Sequence, residues 1–497
     1  MQSKYCNHHF YIQKTELVKY NSYDLVVIGT GFASTFFLKK YLSKAPASAK
    51  VLVLERGYLY PHAERVKEQR GEQTPYAKLN IPYEDAIINE TPEKHWKFQS
   101  AFGGSSNCWF GCTPRFLPSD FKMKSLYGIA SDWPLDYDDL ESYYTEVEEA
   151  MSISGPSDET PFPRKGPYPQ PPHEFTAVDK VLKQKWGKLY INQPTARARM
   201  QVKGRAGICC GSAICQLCPV DAKFTIENSG IGVFRDSRVE LLTGAAVHQL
   251  DLQQNRVRAV HYEKDGSDHQ VNGEVVALGT NAIFNANILL NSGDLNPFTG
   301  KGLGEQFGLQ TLVYLDNMEN VGGSTWVNAN GYMLYDGEHR KEYAACMMES
   351  GNYPYFRLER GKWRNIISFR MIFEDLPQER NYVATTRDVL KPAVHFAGIS
   401  DYTSKAVEKM KVNLPKVLSC LPVEKIEYLA PYDTEAHIMG TARMSKTASE
   451  GVVDKHLIHH QYRNLFVLGA SSFTTFTPSN PTLTLSALSL HAADQAF

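Results

Sequence analysis

Several features that place proteins in membranes or on polyanions are missing from this sequence. No apolar run approaches the roughly 18 residues that a membrane-spanning helix needs. Lys and Arg number 53 against 54 Asp and Glu, so the sequence lacks the basic excess of a general nucleic-acid or membrane-surface binder. The N-terminal stretch MQSKYCNHHFYIQKTELVKYNS has no apolar core and no small-residue cleavage site, unlike a secretory signal. These absences predict no nucleic-acid partner, no transmembrane segment and a cytoplasmic location, leaving open periplasmic export with a signal-bearing partner.

The cysteines do not form the spread-out framework of a small secreted domain. There are nine, an odd number, and four of them lie within residues 209–218. At 497 residues the chain is too long for one compact core and predicts two or three structural units.

A nucleotide-binding βαβ unit is predicted near the N-terminus. The apolar run 25–28 reads as a buried strand, and Gly29, Gly31 and Ser34 follow it as G-x-G-x-x-S before a helix. A second buried strand ends at Glu55, which is placed to bind a ribose diol. The glycines allow a pyrophosphate to approach the helix N-terminus, where unpaired N–H groups favour anions. A βαβ unit without a ligand is the alternative.

Four further stretches carry a family resemblance. They are FGGSSNCWFGCTPRFLPSDF, DWPLDYDDLESYY, VVALGTNAIFNANILLNSG and the C-terminal block from HIMGTARM to the end. Together with the βαβ unit they resemble the glucose–methanol–choline (GMC) oxidoreductases, with features of pyranose oxidases and of bacterial FAD-dependent sugar and polyol dehydrogenases.

The resemblance implies an α/β fold with a Rossmann-like, discontinuous FAD-binding domain and an α+β substrate domain containing an antiparallel sheet. We expect the FAD-binding domain in 1–310 and 431–497, with a connector at 155–205, and the substrate-binding domain in 311–430. The expected FAD contacts are Gly29, Gly31, Phe32, Ala33, Ser34, Glu55, Arg56, Gly103, Gly104, Ser105, Ser106, Asn107, Cys108, Val247, Gly469, Ala470, Pro481 and Thr482. Gly469 stands where family members often have Asp, so a ribityl contact from that side chain is missing.

The same resemblance assigns a catalytic pair. His437 in HIMGTARM corresponds to the family's base, and Asn480 in SNPTLT corresponds to the residue that holds the substrate oxygen. A neutral imidazole suits removal of a hydroxyl proton while hydride leaves for flavin N5, and an amide stabilises the oxygen without titrating. The alternatives are a satisfied core histidine and a turn asparagine before Pro481.

The cysteine cluster CCGSAICQLCP allows three interpretations. Four thiolates suit a zinc ion. The cysteines could instead be free or paired in disulfides. In the third interpretation they bind iron and sulfur, since FAD sugar dehydrogenases of the family hold a [3Fe–4S] cluster in a similar segment. On that resemblance Cys209, Cys215 and Cys218 are candidate iron–sulfur ligands, with Cys210 spare, although the final spacing is one residue shorter. A cluster favours electron transfer to a partner, a cytochrome or small subunit, over transfer to O2.

Cys108 stands where pyranose oxidases attach FAD covalently through a His before Trp. A thioether to the flavin is one expectation, and a small buried residue beside non-covalent FAD is the favoured one.

The predicted function is therefore FAD-dependent oxidation of a CH–OH group in a sugar, polyol or other small alcohol, with electrons passed to an acceptor other than O2. The alternatives are an O2-using oxidase, a non-redox FAD lyase of the hydroxynitrile lyase type, and a flavoprotein scaffold without its own substrate.

Overall fold

The computed structural model describes residues 18–79 and 81–497. The polar leader, from which the lack of a secretory signal was predicted, lies largely outside the described residues. The strands are β1 (Ser22–Ile28), β2 (Val51–Glu55), β3 (Ile88–Asn89), β4 (Tyr190–Asn192), β5 (Val239–Thr243), β6 (Ala246–Gln253), β7 (Arg256–Lys264), β8 (Ser267–Leu278), β9 (Phe307–Leu315), β10 (Val327–Leu334), β11 (Cys346–Gly351), β12 (Ile366–Phe373), β13 (Tyr382–Ala384), β14 (Ala393–His395), β15 (Val423–Pro431) and β16 (Leu465–Val467).

The α-helices are α1 (Phe32–Lys44), α2 (His62–Gln69), α3 (Met123–Tyr127), α4 (Tyr137–Met151), α5 (Ala177–Trp186), α6 (Ala282–Asn291), α7 (Asp401–Val417) and α8 (Thr482–Ala496). Within the described ranges, no helix combines the length and apolar character needed to cross a bilayer.

The first sheet is centred on β1, which runs parallel to β2 on one side and to β8 on the other. Strand β5 extends the β2 side, and the short C-terminal strand β16 joins the end of β8, both in parallel. The first half of β8 instead forms an antiparallel meander with β7 and β6. Residues 25–28 and 51–54 are buried without alternation, as in strands covered on both faces.

The second sheet is antiparallel, in the order β15-β9-β12-β11-β10-β4. One of its faces packs on α7, whose apolar side includes Tyr402, Met410 and Leu414 in the same core as β9, β11 and β12. The remaining three strands form a small sheet, β13-β14-β3.

The predicted fold class is confirmed: a Rossmann-like parallel unit and a separate antiparallel sheet are both present. The predicted helix after Gly31 is α1, and the strand that ends at Glu55 is β2. The connector 155–205 is not entirely a loop, because it contains α5 and β4. Strand β4 pairs with β10 of the second sheet. The domain boundaries themselves stay a prediction.

Candidate functional site

A cavity of about 850 Å³ lies where the parallel strands of the first sheet end. Gly29 follows β1, Glu55 closes β2, Gly279 follows β8 and Gly469 follows β16, and all four residues line this cavity. Ligands of open parallel sheets bind at the carboxyl ends of the strands. The cavity is therefore the candidate cofactor site.

Most residues expected from the sequence line this cavity. They are Gly29, Gly31, Phe32, Ala33, Glu55, Arg56, Gly104, Ser105, Asn107, Cys108, Val247, Gly469, Ala470, Pro481 and Thr482, together with His437 and Asn480. Three expected residues, Ser34, Gly103 and Ser106, do not line it.

Those three residues take part in hydrogen bonds within the segments that form the cavity wall. The Ser34 hydroxyl donates to Gly279 O at 3.1 Å, which ties α1 to the end of β8. The Ser106 hydroxyl donates to Gly103 O at 2.7 Å and accepts from Ile226 N at 3.1 Å. The Ser106 hydroxyl therefore bonds within the protein, and the role of Ser106 as an FAD contact stays a prediction.

The N-terminus of α1 forms a cradle for an anion. Gly31 is its N-cap and has no side chain to cap the N–H groups of the first turn. A Cβ at Gly31 would meet no protein atom within 4 Å, whereas at Gly29, where φ is +95°, it would lie 2.9 Å from Gly279 O. Gly29 is thus required by the backbone, and Gly31 borders open space beside the first N–H groups of α1.

Thr30 connects this turn to the glycine pair of the loop that follows β3. Its hydroxyl donates to Glu55 Oε2 at 2.6 Å and accepts from Gly103 N at 2.9 Å. Gly103 and Gly104 both have positive φ, and a Cβ at Gly104 would lie 3.5 Å from the Gly31 Cα. The loop and the turn after β1 therefore approach one another closely on one side of the cavity.

Cys108 follows this loop and also lines the cavity. Its Sγ lies 3.6 Å from Ser105 O, in the position of a weak donor. Burial raises the pKa of the Cys108 thiol, although the Lys223 ammonium acts in the opposite direction. The protonated thiol is thus the stable form, and it is a poor nucleophile.

His437 and Asn480 lie at another part of the same cavity. Burial and the Arg370 guanidinium lower the pKa of His437 to about 3, which keeps the imidazole neutral. Ala436, directly before it, has φ +58°, a conformation that non-glycine residues adopt at a cost. Asn480 is buried, and its Oδ1 finds no hydrogen-bond partner among the described residues. A neutral imidazole and a buried asparagine therefore line the same cavity.

The second sheet adds charged residues that sequence reasoning missed. Glu349 on β11 and Arg370 on β12 are directly opposite in the antiparallel register, and both line the cavity. Arg370 Nη2 lies 2.6 Å from Glu435 Oε2, and its guanidinium lies over the Tyr432 ring. Burial raises the pKa of Glu349 to about 7. The usable signal was a charged residue inside each of two apolar strands, CMMESG and IISFRMIF.

The cysteine cluster lies beside the cavity, which Gln216 and Leu217 of the same segment line. Within residues 18–79 and 81–497 no group of three or more His, Cys, Asp or Glu side chains could hold a metal ion. Cys209 Sγ lies 3.4 Å from Thr325 Oγ1, and Cys218 Sγ accepts from Ala222 N at 3.3 Å. Burial raises the pKa of Cys215 to about 11. The expected iron–sulfur ligation by Cys209, Cys215 and Cys218 is not supported, and the thiols of Cys209 and Cys218 contact other partners.

Curated relatives match nearly the whole chain. The fructose dehydrogenase large subunit of Gluconobacter japonicus is 26% identical over 546 residues, covering 95% of this chain and 97% of the relative. The 2-methyl-1,2-propanediol dehydrogenase of Mycolicibacterium austroafricanum is 23% identical, with coverage of 95% and 94%.

Solved structures share the fold. A pyridoxine 4-oxidase from Mesorbium loti superposes with a TM-score of 0.64 at 17% identity, covering 95% of this chain and 99% of the other. A formate oxidase from Aspergillus oryzae, solved to follow the effect of a mutation on FAD modification, gives 0.64 at 14% identity, with coverage of 95% and 98%. The profile of the family described as GMC oxidoreductase matches residues 374–489, which include His437 and Asn480. The chain is an oxidoreductase whose residues 374–489 match the GMC family.

Proposed function

We propose that the protein oxidises the CH–OH group of a sugar, polyol or other small alcohol, with FAD as its cofactor. The observation that supports this most is that His437 and Asn480 line the same cavity as the glycine turn after β1. The relatives named for fructose and for 2-methyl-1,2-propanediol support a hydroxylated substrate.

The residues at the strand ends fit FAD. The open space beside Gly31 at the start of α1 suits a pyrophosphate, and Glu55 at the end of β2 is placed for a ribose. The cavity volume lies within the range of cofactor and ligand pockets, about 300–1,000 Å³. When bound, FAD supplies the acceptor for the hydride that leaves the carbinol carbon.

The protein's own residues handle the proton and the oxygen. His437 is neutral and takes the hydroxyl proton of the substrate, becoming imidazolium as the C–O bond gains double-bond character. Asn480 donates an amide hydrogen bond to the same oxygen and so holds that oxygen in position relative to His437. Both groups are enclosed, so their interactions with the reacting oxygen are weakly screened by water.

The second sheet supplies groups for the other hydroxyls of a polyol. The Glu349 carboxyl accepts from Gln193 Nε2 at 2.9 Å through Oε1 and borders the cavity, and Arg370 borders it beside Glu435. Adjacent hydroxyl groups of a polyol can donate to the carboxyl group and accept from the guanidinium group. The pair therefore suits a polyol substrate better than a substrate with an apolar chain.

We infer an electron acceptor other than O2, because both curated relatives are named dehydrogenases and one is a large subunit, which suits a partner protein. The O2-using alternative is favoured by the two solved neighbours, which are named oxidases. Reduced protein mixed with O2 or with an artificial quinone acceptor separates the two: rapid reoxidation by O2 alone would establish an oxidase.

The proposed function is tested by adding D-fructose, linear polyols and simple diols to the FAD-loaded protein without oxygen. Bleaching of the flavin absorption band by at least one alcohol, with formation of the matching carbonyl compound, supports the proposal. Unchanged absorption with the whole panel refutes it. A cyanohydrin added to the same protein tests the lyase alternative, since its cleavage to a carbonyl compound and cyanide without bleaching would indicate a lyase.

The pH dependence should separate the base from the substrate-binding carboxyl. Since the pKa of His437 is lowered to about 3, its neutral form persists as pH falls, and flavin reduction at saturating substrate should change little from about pH 8 to about pH 5. Glu349, with its pKa raised to about 7, should instead change substrate affinity near neutrality. Stopped-flow reduction across pH, with Glu349→Gln as the matched variant, checks both. A fall in the saturated rate near pH 6.5 that persists in Glu349→Gln would contradict the assignment.

The Cys108 thiol should not tether the cofactor. Because burial raises its pKa, the thiolate needed for a thioether is disfavoured. Acid precipitation of the loaded protein should therefore release all flavin into the supernatant, and Cys108→Ser should behave identically. Flavin that remains with the precipitated wild type but not with Cys108→Ser would show a covalent link.

A further inference from the structure

A buried glutamine that is not part of the predicted catalytic pair is hydrogen-bonded to both chain segments that carry the pair. Gln306 Oε1 lies 2.5 Å from His437 Nδ1. Its Nε2 donates to Thr477 O at 2.7 Å and to Ser479 O at 2.8 Å, directly before Asn480. One side chain therefore contacts the base and the backbone that carries the oxygen-holding amide.

The backbone register explains why Gln306 meets His437. Gly304 and Met439 exchange hydrogen bonds, N to O at 3.1 and 2.9 Å, as an antiparallel pair. In that register residue 306 lies opposite residue 437. Glu305 also contacts this segment, because its Oε2 accepts from the His437 N–H at 3.1 Å.

The amide orientation decides the tautomer of His437. The carbonyl oxygens of Thr477 and Ser479 only accept, so the NH2 group of Gln306 must face them. Its Oε1 then faces His437 Nδ1, which must carry a proton to donate. A neutral imidazole carries a single N–H, so Nε2 is left as the basic nitrogen.

We infer that Gln306 is a positioning residue that fixes the Nδ1–H tautomer of His437 and, through Ser479, the position of Asn480 relative to it. This inference rests on the proposed function, in which those two residues act on one substrate oxygen. Gln306 itself does not line the cavity and exchanges no proton. Among the charged groups around His437, Arg370 on β12 lowers its pKa and Glu305 accepts from its backbone N–H. Glu349 on β11 and Glu435 line the same cavity as His437.

Gln306→Leu tests the link, since it keeps the volume and loses both kinds of hydrogen bond. We expect the rate constant of flavin reduction to fall about 10- to 100-fold, the size found for outer-shell partners of metal-bound histidines, with little change in substrate affinity. Gln170→Leu is the matched control: Gln170 is buried and bonds Ser152 O and the N–H groups of Arg199 and Met200, away from the cavity. An unchanged reduction rate in Gln306→Leu overturns the inference.

Gln306→Glu gives a readout that a purely structural role would not move. The carboxylate still accepts from Nδ1–H, and its charge favours the imidazolium, so the acid limb of flavin reduction should shift to higher pH. A pH profile identical to that of the wild type would overturn the inference even if Gln306→Leu failed to fold.

Nitrogen-15 NMR of the apoprotein reads the tautomer without the reaction, with His437→Ala used to assign the signal. The inference predicts a protonated Nδ1 and a non-protonated Nε2 in the wild type, and loss of that pattern in Gln306→Leu. A protonated Nε2 in the wild type overturns it. Failure of every alcohol to reduce the flavin would refute the proposed function while this spectrum still decides the role of Gln306.

Discussion

Replacing His437 by Ala should lower the rate constant of flavin reduction by about 10²- to 10⁴-fold, the contribution of a well-placed general base. The imidazole borders the cavity in neutral form, since burial and Arg370 lower its pKa to about 3. FAD content should be preserved, because the glycine turn and the start of α1 lie at the strand ends rather than beside His437. Anaerobic stopped-flow absorbance measures the rate, and the flavin-to-protein ratio measures retention.

The control for this variant is His261→Ala, a half-buried histidine on β7 that does not line the cavity. It should reduce flavin at the wild-type rate. Reduction at the wild-type rate in His437→Ala would remove His437 from the mechanism. Loss of FAD from His437→Ala would mean that the residue acts in cofactor binding instead.

Gly31→Ala should weaken FAD binding while leaving the apoprotein folded. The N-cap φ of −72° is accessible to alanine, and the added Cβ meets no protein atom within 4 Å. That space is the place proposed for the pyrophosphate, so the methyl group should cost about 1–3 kcal/mol, or about 5- to 150-fold in affinity. Titration of apoprotein with FAD, followed by protein fluorescence, gives the dissociation constant, and thermal unfolding of the apoprotein gives its stability.

Two further glycine substitutions make this test specific. Gly232→Ala is the matched control: its Cβ also meets nothing within 4 Å, but Gly232 lies outside the cavity, so affinity and stability should both be unchanged. Gly29→Ala should destabilise the fold itself, because φ is +95° and the Cβ would press on Gly279 O. Wild-type FAD affinity in Gly31→Ala would contradict the cradle at the start of α1.

The cofactor side of the site was readable from sequence because its determinants are local. A buried strand, a glycine turn and a helix are neighbours in the chain, and β1, Gly29, Gly31 and α1 follow that order in the structure. The parallel strands then bring Glu55 and Gly469 to the same edge, as parallel pairing requires.

Part of the proposed substrate side was not readable beyond His437 and Asn480, because its other residues meet through long-range pairing. Glu349 and Arg370 become neighbours only through the register of β11 with β12, and Gln306 meets His437 only through the pairing of Gly304 with Met439. Strands β11 and β12 are buried on both faces, so no alternating apolar pattern in the sequence specifies their register.

The cysteine cluster shows a different limit of sequence reasoning. The spacing of Cys209, Cys215 and Cys218 suggested metal ligation, but ligation depends on where the thiols point. The structure turns Cys209 toward Thr325 and Cys218 toward a backbone N–H. Spacing alone carries no information about those directions.

The central claim is that an alcohol bound in the cavity is oxidised at its carbinol carbon. His437 takes its hydroxyl proton and Asn480 holds its oxygen. This claim is tested most directly by anaerobic flavin reduction with the best alcohol of the panel, compared with the same alcohol carrying deuterium on the carbinol carbon. The account predicts that the flavin bleaches and that bleaching slows several-fold with deuterium, because the C–H bond breaks in that step. Flavin that stays oxidised with every alcohol, or that is reduced with no isotope effect in a step unaffected by His437→Ala, would contradict it.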